Sequence, residues 1–398
     1  PRHAPPPPPT AAGAGPDWSR AIGQRFSGYA QLDRPPDWRR YRFPFIYGQA
    51  DPALFDHRAW RACAVRALGA RDFPSLTEDR YDRDDPLLVE YILRHLLPRR
   101  GIHAKPDQIL LTLGAQNALW ICAQVLLTQR RVAAMEAPCY PGLREVLAQT
   151  RCRTVSVPVD DAGLPPDALP PSVDAVFLTP GHHCPTGATL SAPRRQALLG
   201  RAGREGFVIV EDDYDVEMTD AAPPLPALKA EDGAGAVIYL GSFSKALFPG
   251  LRLGFLVGPE PFVREARALR ALVLRHPPGH VQRTAAYFLS LGHFEAQLAR
   301  MAAAHARRRA AMEQALAATG LTVAGRGGAA YWMRLTEGDA GALARRLRAD
   351  EVLIEPGAPF FAPESGETRF FRLGYSTIPA ARIPEGVARL ARVAGAGA

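Results

Sequence analysis

The chain has 398 residues and a formal net charge of +8, carried mostly by arginine, and 47% of its residues are hydrophobic. That composition excludes a disordered or fibrous chain over most of its length and allows one large domain plus a smaller one. No uncharged apolar run is long enough to span a bilayer and no basic-then-apolar leader is visible, which makes the cytoplasm the expected location. The five cysteines, Cys63, Cys122, Cys139, Cys152 and Cys184, are scattered and odd in number, as reduced thiols are, not paired as in a disulfide framework. The positive charge suits an anionic cofactor, an anionic substrate or nucleic acid, and does not choose among them.

Residues 1 to 16, "PRHAPPPPPTAAGAGP", cannot build a core and read as a semi-rigid linker, either a vestige or the remainder of a junction. From about residue 107 short apolar runs alternate with helical stretches. "QILLTLG", "RVAAMEAP", "TVSVPVD", "AVFLTP", "FVIVEDD", "AVIYLGS" and "RLGFLVG" each read as a strand ending in turn residues. Between them lie amphipathic segments such as "AQNALWICAQVLL" and "PRRQALLGRAGRE". This alternation predicts an α/β domain with a mostly parallel, buried sheet. After Pro261 a helical tract runs to about Thr319 and leads into a smaller α/β segment with "GGAAYWMRL" and "RFFRLGYS" as strands. The functional site is expected where strand C-termini meet the following loops.

Four pieces fall there. In "LTLGAQNAL", Gly114, Ala115 and Gln116 open a helix directly after a strand, and free N–H groups at such a turn suit a phosphate. Taken alone, this is also what any strand-to-helix turn looks like. In "FVIVEDDYDVEM", Glu211, Asp212, Asp213 and Asp215 follow an apolar strand. They fit a charged turn, a metal site or a carboxylate facing a cationic ring nitrogen. The absence of histidine and of a partner acidic cluster speaks against metal. "EAPCYPG" offers Tyr140 at another strand end, an aromatic lid or an ordinary turn. The fourth piece, "GSFSKALFPGLRLGFL", sets Lys245 and Arg252 in apolar company. Desolvation lowers the pKa of such a lysine, and a neutral amine is what condenses with an aldehyde. Arg252, Ser242 and Ser244 can hold a phosphate beside it. An aldehyde, a phosphate, a ring nitrogen needing a carboxylate and a ring needing an aromatic cover together describe pyridoxal phosphate.

In these motifs, and in "FPFIYGQADPALF", "LTPGHHCPTG", "PGAPFF" and "FRLGYS", the sequence resembles fold-type I aminotransferases from about Phe43 to Arg389. The resemblance is strongest to the aminotransferase-like domain of MocR-type regulators of the GntR family. It implies the α/β fold of PLP-dependent transferases: a large domain with a mostly parallel sheet and a smaller C-terminal α/β domain. The expected division is a linker and arm over 1–40, a large cofactor domain over 41–282 whose N-terminal segment contributes to the small domain, and an interdomain helix with the small domain over 283–398. It implies Lys245 as the Schiff-base lysine, Asp212 on the pyridine nitrogen, Tyr214 on the ring hydroxyl and Tyr140 stacked on the ring. Gly114, Ala115, Gln116, Ser242, Ser244 and Arg252 would surround the phosphate, with Tyr81 reaching the phosphate of a partner subunit in a homodimer. Arg372 matches the arginine that grips a substrate α-carboxylate.

The departures are local. Gly181, His183 and Cys184 replace three residues of the regulators' usual loop, and Cys184 stands where plain aminotransferases place asparagine. A smaller side chain there widens the pocket, so His183 and Cys184 are expected to line room for a second or larger substrate. Asp84 or Asp85 occupies a position where the family carries glycine. The winged helix-turn-helix that precedes this domain in the regulators is not in the sequence, so direct nucleic-acid binding by this chain is not expected. The leading expectation is a cytoplasmic PLP enzyme acting on an α-amino acid: an external aldimine gives a quinonoid, whose fate is transamination, elimination, replacement or carbon–carbon bond formation. The alternative is the effector-sensing domain of a MocR-type regulator.

Overall fold

The computed structural model describes residues 16–28, 32, 34–215 and 225–395. The Pro-rich stretch up to residue 15, and the acidic run beyond Asp215, lie outside the described residues. Residues 31–398 form one compact unit and the stretch before it another, in which a short helix spans Trp18–Ala21.

All seven apolar runs become strands of one sheet: β1 (Ile109–Thr112), β2 (Val132–Ala137), β3 (Arg153–Pro158), β4 (Ala175–Leu178), β5 (Val208–Asp213), β6 (Val237–Ser242) and β7 (Gly254–Val257). Their order is β1-β7-β6-β5-β4-β2-β3. Every neighbouring pair from β6 to β3 is parallel, and β7 runs antiparallel to both β1 and β6. The reversal has a local cause. Only the loop 243–253 separates β6 from β7, too short for the helical crossover that a parallel neighbour needs. That loop carries Lys245.

Helices cover the sheet because its strands are apolar on both faces. They include α1 (Ala115–Leu126), α2 (Pro141–Thr150), α3 (Ala192–Glu205) and α4 (Glu260–Leu274). The long helical tract is broken into α4, α5 (Gly279–Ser290) and α6 (His293–Ala317). "RHPPG" supplies the first break, since proline cannot donate to a helix interior. The smaller sheet is antiparallel, in the order β10-β11-β9-β8, from β8 (Thr322–Gly327), β9 (Ala330–Arg334), β10 (Glu355–Pro356) and β11 (Phe370–Gly374). Phe43, Phe45 and Tyr47 pack into the same core as Met333, Leu373 and Val387, so the segment before the first large strand is built into the smaller layer.

Asp84 and Asp85, the two acids that depart from the usual glycine segment, take different roles, and Asp84 faces the large sheet. Its carboxylate accepts from Arg270 at 2.6 Å, Arg267 at 2.9 Å and the Leu111 amide, tying α4 to β1. Asp85 instead caps the helix Pro86–Tyr91 and pairs with Arg283.

Candidate functional site

Strand alternation sorts the acids at the end of β5. Glu211 accepts from the amides of Leu228 and Lys229. Asp213 accepts from Arg100 Nε and the Tyr239 hydroxyl, each at 2.7 Å. Asp212, between them, points to the other face, and its Oδ1 is buried with no hydrogen-bond partner among the described residues. Burial, then the charges of Asp213 and Asp215, raises the Asp212 carboxyl to about 7. An orphaned buried acceptor of this kind calls for a donor that is not part of the chain.

Lys245 is half-buried in the β6–β7 loop. Burial first, and the Arg372 charge second, lower its amine to about 8. Its Nζ lies 4.7 Å from the centre of the Tyr47 ring. A Cβ on Gly48 would stand 2.2 Å from that Nζ, and Gly48 has φ +75, so only glycine fits there.

The cradle is at the start of α1. Gly114, its N-cap at φ 81, offers no side-chain cap, which leaves the first-turn amides open. Arg252 adopts a left-handed backbone (φ 52) and its Nη2 donates to the Leu113 carbonyl at 2.9 Å. Ser242 Oγ accepts from the Ser244 amide. Gln116 donates weakly to the Gly142 carbonyl at 3.4 Å, while its Oε1 is buried without a partner among the described residues.

Tyr140, Tyr214 and Cys184 meet in one apolar cluster with Trp332 and Phe360. Burial pushes the Cys184 thiol up to about 12 against the pull of Arg372, so it stays a neutral wall residue. Arg372 on β11 is 4% exposed and its Nε donates to Glu355 Oε2 at 2.9 Å. Its guanidinium lies 4.4 Å from the Tyr47 ring centre and 4.8 Å from that of Phe360.

One expected wall residue serves the loop instead. His183 does not line the pocket: its Nδ1 bonds Thr186 Oγ1 at 2.7 Å and its Nε2 the Pro138 carbonyl at 2.9 Å, so both ring nitrogens serve the loop itself. Tyr81, expected at a partner subunit's phosphate, is 48% exposed, with Arg275 over its ring. Three residues were missed. Tyr47 donates its hydroxyl to Asp215 at 2.6 Å, and Asp215 also meets His182 Nδ1 at 3.3 Å. Glu355 is completely buried. Its signal was available, since an acid between Ile354 and Pro356 in an apolar strand is as anomalous as Lys245.

Asp212 supplies a pH test. Its folded pKa, like that of Glu211, lies above the unfolded value, so the folded chain binds more protons between about 4 and 7. The contribution of these two groups to the stability of the cofactor-free protein should therefore be fullest at low pH and be lost as pH rises through that window. In Asp212→Asn the fall should be smaller. Urea midpoints at pH 5 and pH 7.5 measure it, and equal falls in both proteins would show that Asp212 carries no such penalty.

An open amide cradle, a lysine with a lowered pKa and an orphaned carboxylate, all at strand ends or in the loops that follow strands of one sheet, suit pyridoxal phosphate, and the fold is that of the fold-type I PLP-dependent proteins. The chain belongs to the aminotransferase class I and II family, whose profile matches residues 81–390. Pyridoxal phosphate is the cofactor of this class, and the site described here fits it. Over 384 residues the chain is 56% identical to the HTH-type transcriptional regulator TauR of Rhodobacter capsulatus, covering 96% of this chain and 79% of that protein. It spans 58% to 62% of the length of three further regulators it matches. It is 34% identical to the 2-aminoadipate transaminase of Thermus thermophilus, covering 87% of this chain and 89% of that protein. The structure of LysN, the α-aminoadipate aminotransferase of T. thermophilus complexed with N-(5'-phosphopyridoxyl)-L-leucine, superposes with a TM-score of 0.82 at 30% identity, over 95% of this chain and 98% of that one. Among the described residues no helix is long and apolar enough to cross a membrane.

Proposed function

We propose that this chain is the PLP-dependent ligand-sensing domain of a MocR-type regulator, recognising an amine that carries an acid group. The observation that carries the reading is the 56% identity to an HTH-type regulator over nearly the whole chain, joined to an intact set of cofactor residues. Lys245 would hold the cofactor aldehyde, Asp212 the ring nitrogen, Tyr214 the ring hydroxyl, and the amides at Gly114–Gln116 with Ser242, Ser244 and Arg252 the phosphate. Bound there, PLP supplies an aldehyde that condenses with amines and a protonated ring that accepts electrons from the adjoining carbon. The chain's own part would be to lower the pKa of the Lys245 amine so that a neutral fraction is available and can carry a proton, to keep the ring nitrogen protonated through Asp212, and to orient the ligand's acid group at Arg372. Tyr140 and the apolar wall around Cys184 and Trp332 keep water from the ring.

A second reading, a working aminotransferase, is favoured by the same intact Lys245 and Asp212 and by the likeness to 2-aminoadipate transaminase. Both readings favour a homodimer, in which Tyr81 would reach the partner's phosphate. PLP-loaded protein mixed with a panel of amino acids, with and without a 2-oxo acid acceptor, separates the two. The sensing reading expects saturable absorbance changes and at most one equivalent of oxo-acid product per site by mass spectrometry. Many turnovers would overturn it in favour of the enzyme.

A further inference from the structure

Glu355 is the unassigned charge beside the ligand site, and it serves two cations at once. Its Oε2 accepts from Arg372 Nε at 2.9 Å and from the Tyr47 amide at 3.2 Å, and its Oε1 accepts from Arg34 Nη2 at 3.0 Å. The same Arg34 nitrogen donates to the Tyr47 carbonyl at 3.0 Å. Arg34 keeps 28% of its side chain exposed, whereas Glu355 and Arg372 are shut away from water. Two residues earlier Leu32 packs on the cluster of Cys184, Trp332 and Phe360. Leu32 thus touches the apolar wall of the site, and Arg34 the counter-ion of its buried arginine.

We propose that Glu355 positions Arg372 for a ligand's acid group and, by sharing its charge with Arg34, makes occupancy of Arg372 felt at the segment around Arg34. The inference rests on the reading of Arg372 as the acid grip. The hold on Nε turns the fork so that its terminal nitrogens remain for a planar acid group. An anion arriving there draws Arg372's charge outward and leaves more of Glu355's charge for Arg34, so Arg34 is held more tightly. Linkage makes the effect reciprocal: whatever loosens Arg34 from Glu355 gives Glu355 back to Arg372 and lowers affinity for the anion.

The test uses PLP-loaded protein with maleate, a dicarboxylate without an amine, as the probe. Calorimetry measures affinity and hydrogen exchange follows residues 37–48. In the native chain maleate slows exchange there. Glu355→Gln keeps the shape and an acceptor for Arg372 Nε but removes the charge. Maleate should bind it about fivefold or more tighter, with no exchange response. Arg34→Gln should bind maleate more weakly by a similar factor, and the double variant should match Glu355→Gln alone. Independent through-space charge effects would also give opposite signs but would add, bringing the double variant back toward native affinity, whereas charge sharing leaves it at the Glu355→Gln value. Binding that depends on Arg372 but is unchanged or weaker in Glu355→Gln overturns this inference alone. Binding that survives Arg372→Ala, or no binding, overturns the acid-grip reading with it. If Glu355→Gln does not fold, Arg34→Gln decides, and an unchanged affinity there overturns the inference.

Discussion

Borohydride reduction of the PLP-loaded protein should place the cofactor on Lys245 and nowhere else, and Lys245→Ala should lose the adduct entirely. The chain has only three lysines, Lys105, Lys229 and Lys245, which makes the experiment decisive. Lys105 is exposed. Lys229 also has a lowered pKa through burial, but its Nζ is committed to the Val237 carbonyl at 2.6 Å and lies near Asp232. Lys245 Nζ lies against the Tyr47 ring and close to Gly48, with its amine near 8. Because only the neutral amine adds to an aldehyde, capture of free PLP by the apo-protein should speed up as pH rises and level off above about 8. Peptide mass mapping and stopped-flow absorbance measure the two parts. An adduct on Lys229, or a rate flat from pH 6 to 9, would remove Lys245 from its assigned place.

Arg372→Ala should have the second large effect, and on two properties at once. Ligand affinity should fall by about 2–5 kcal/mol, because the acid group enters a desolvated site without its partner. Stability should fall as well, by about 3–5 kcal/mol, since Glu355 is left buried with the amide of Tyr47 and the half-solvated Arg34 as its remaining donors. The two losses separate in a further variant. Arg372→Met combined with Glu355→Gln leaves no buried anion, so it should recover much of the stability and none of the affinity. Urea midpoints and calorimetry report each. Full ligand affinity in Arg372→Ala would mean that the acid group is held elsewhere.

The sequence by itself determined the large sheet and the residues at its strand ends. Strand pattern, turn residues and the anomaly of a cation in apolar company are local properties, readable within ten residues of chain. They sufficed to single out Lys245, Arg252, Gly114 and the acids after β5. Even the direction of β7 was written in the shortness of the loop 243–253. The tertiary structure alone decided how those acids divide, since Arg100 and Tyr239, 113 and 26 residues from Asp213 in the chain, claim Asp213, while Asp212 Oδ1 is left without a partner among the described residues. It also separated neighbours that sequence treats alike: His182 meets Asp215, while His183 turns back to Thr186 and Pro138. Glu355 became the counter-ion of Arg372 because antiparallel pairing sets the two directly across from each other in β10 and β11. Tyr47 reached both Lys245 and Arg372 from an early segment of the chain only because Phe43 and Phe45 anchor that segment in the smaller layer. Register and long-range packing depend on which distant surfaces bury each other, and no local pattern records that choice.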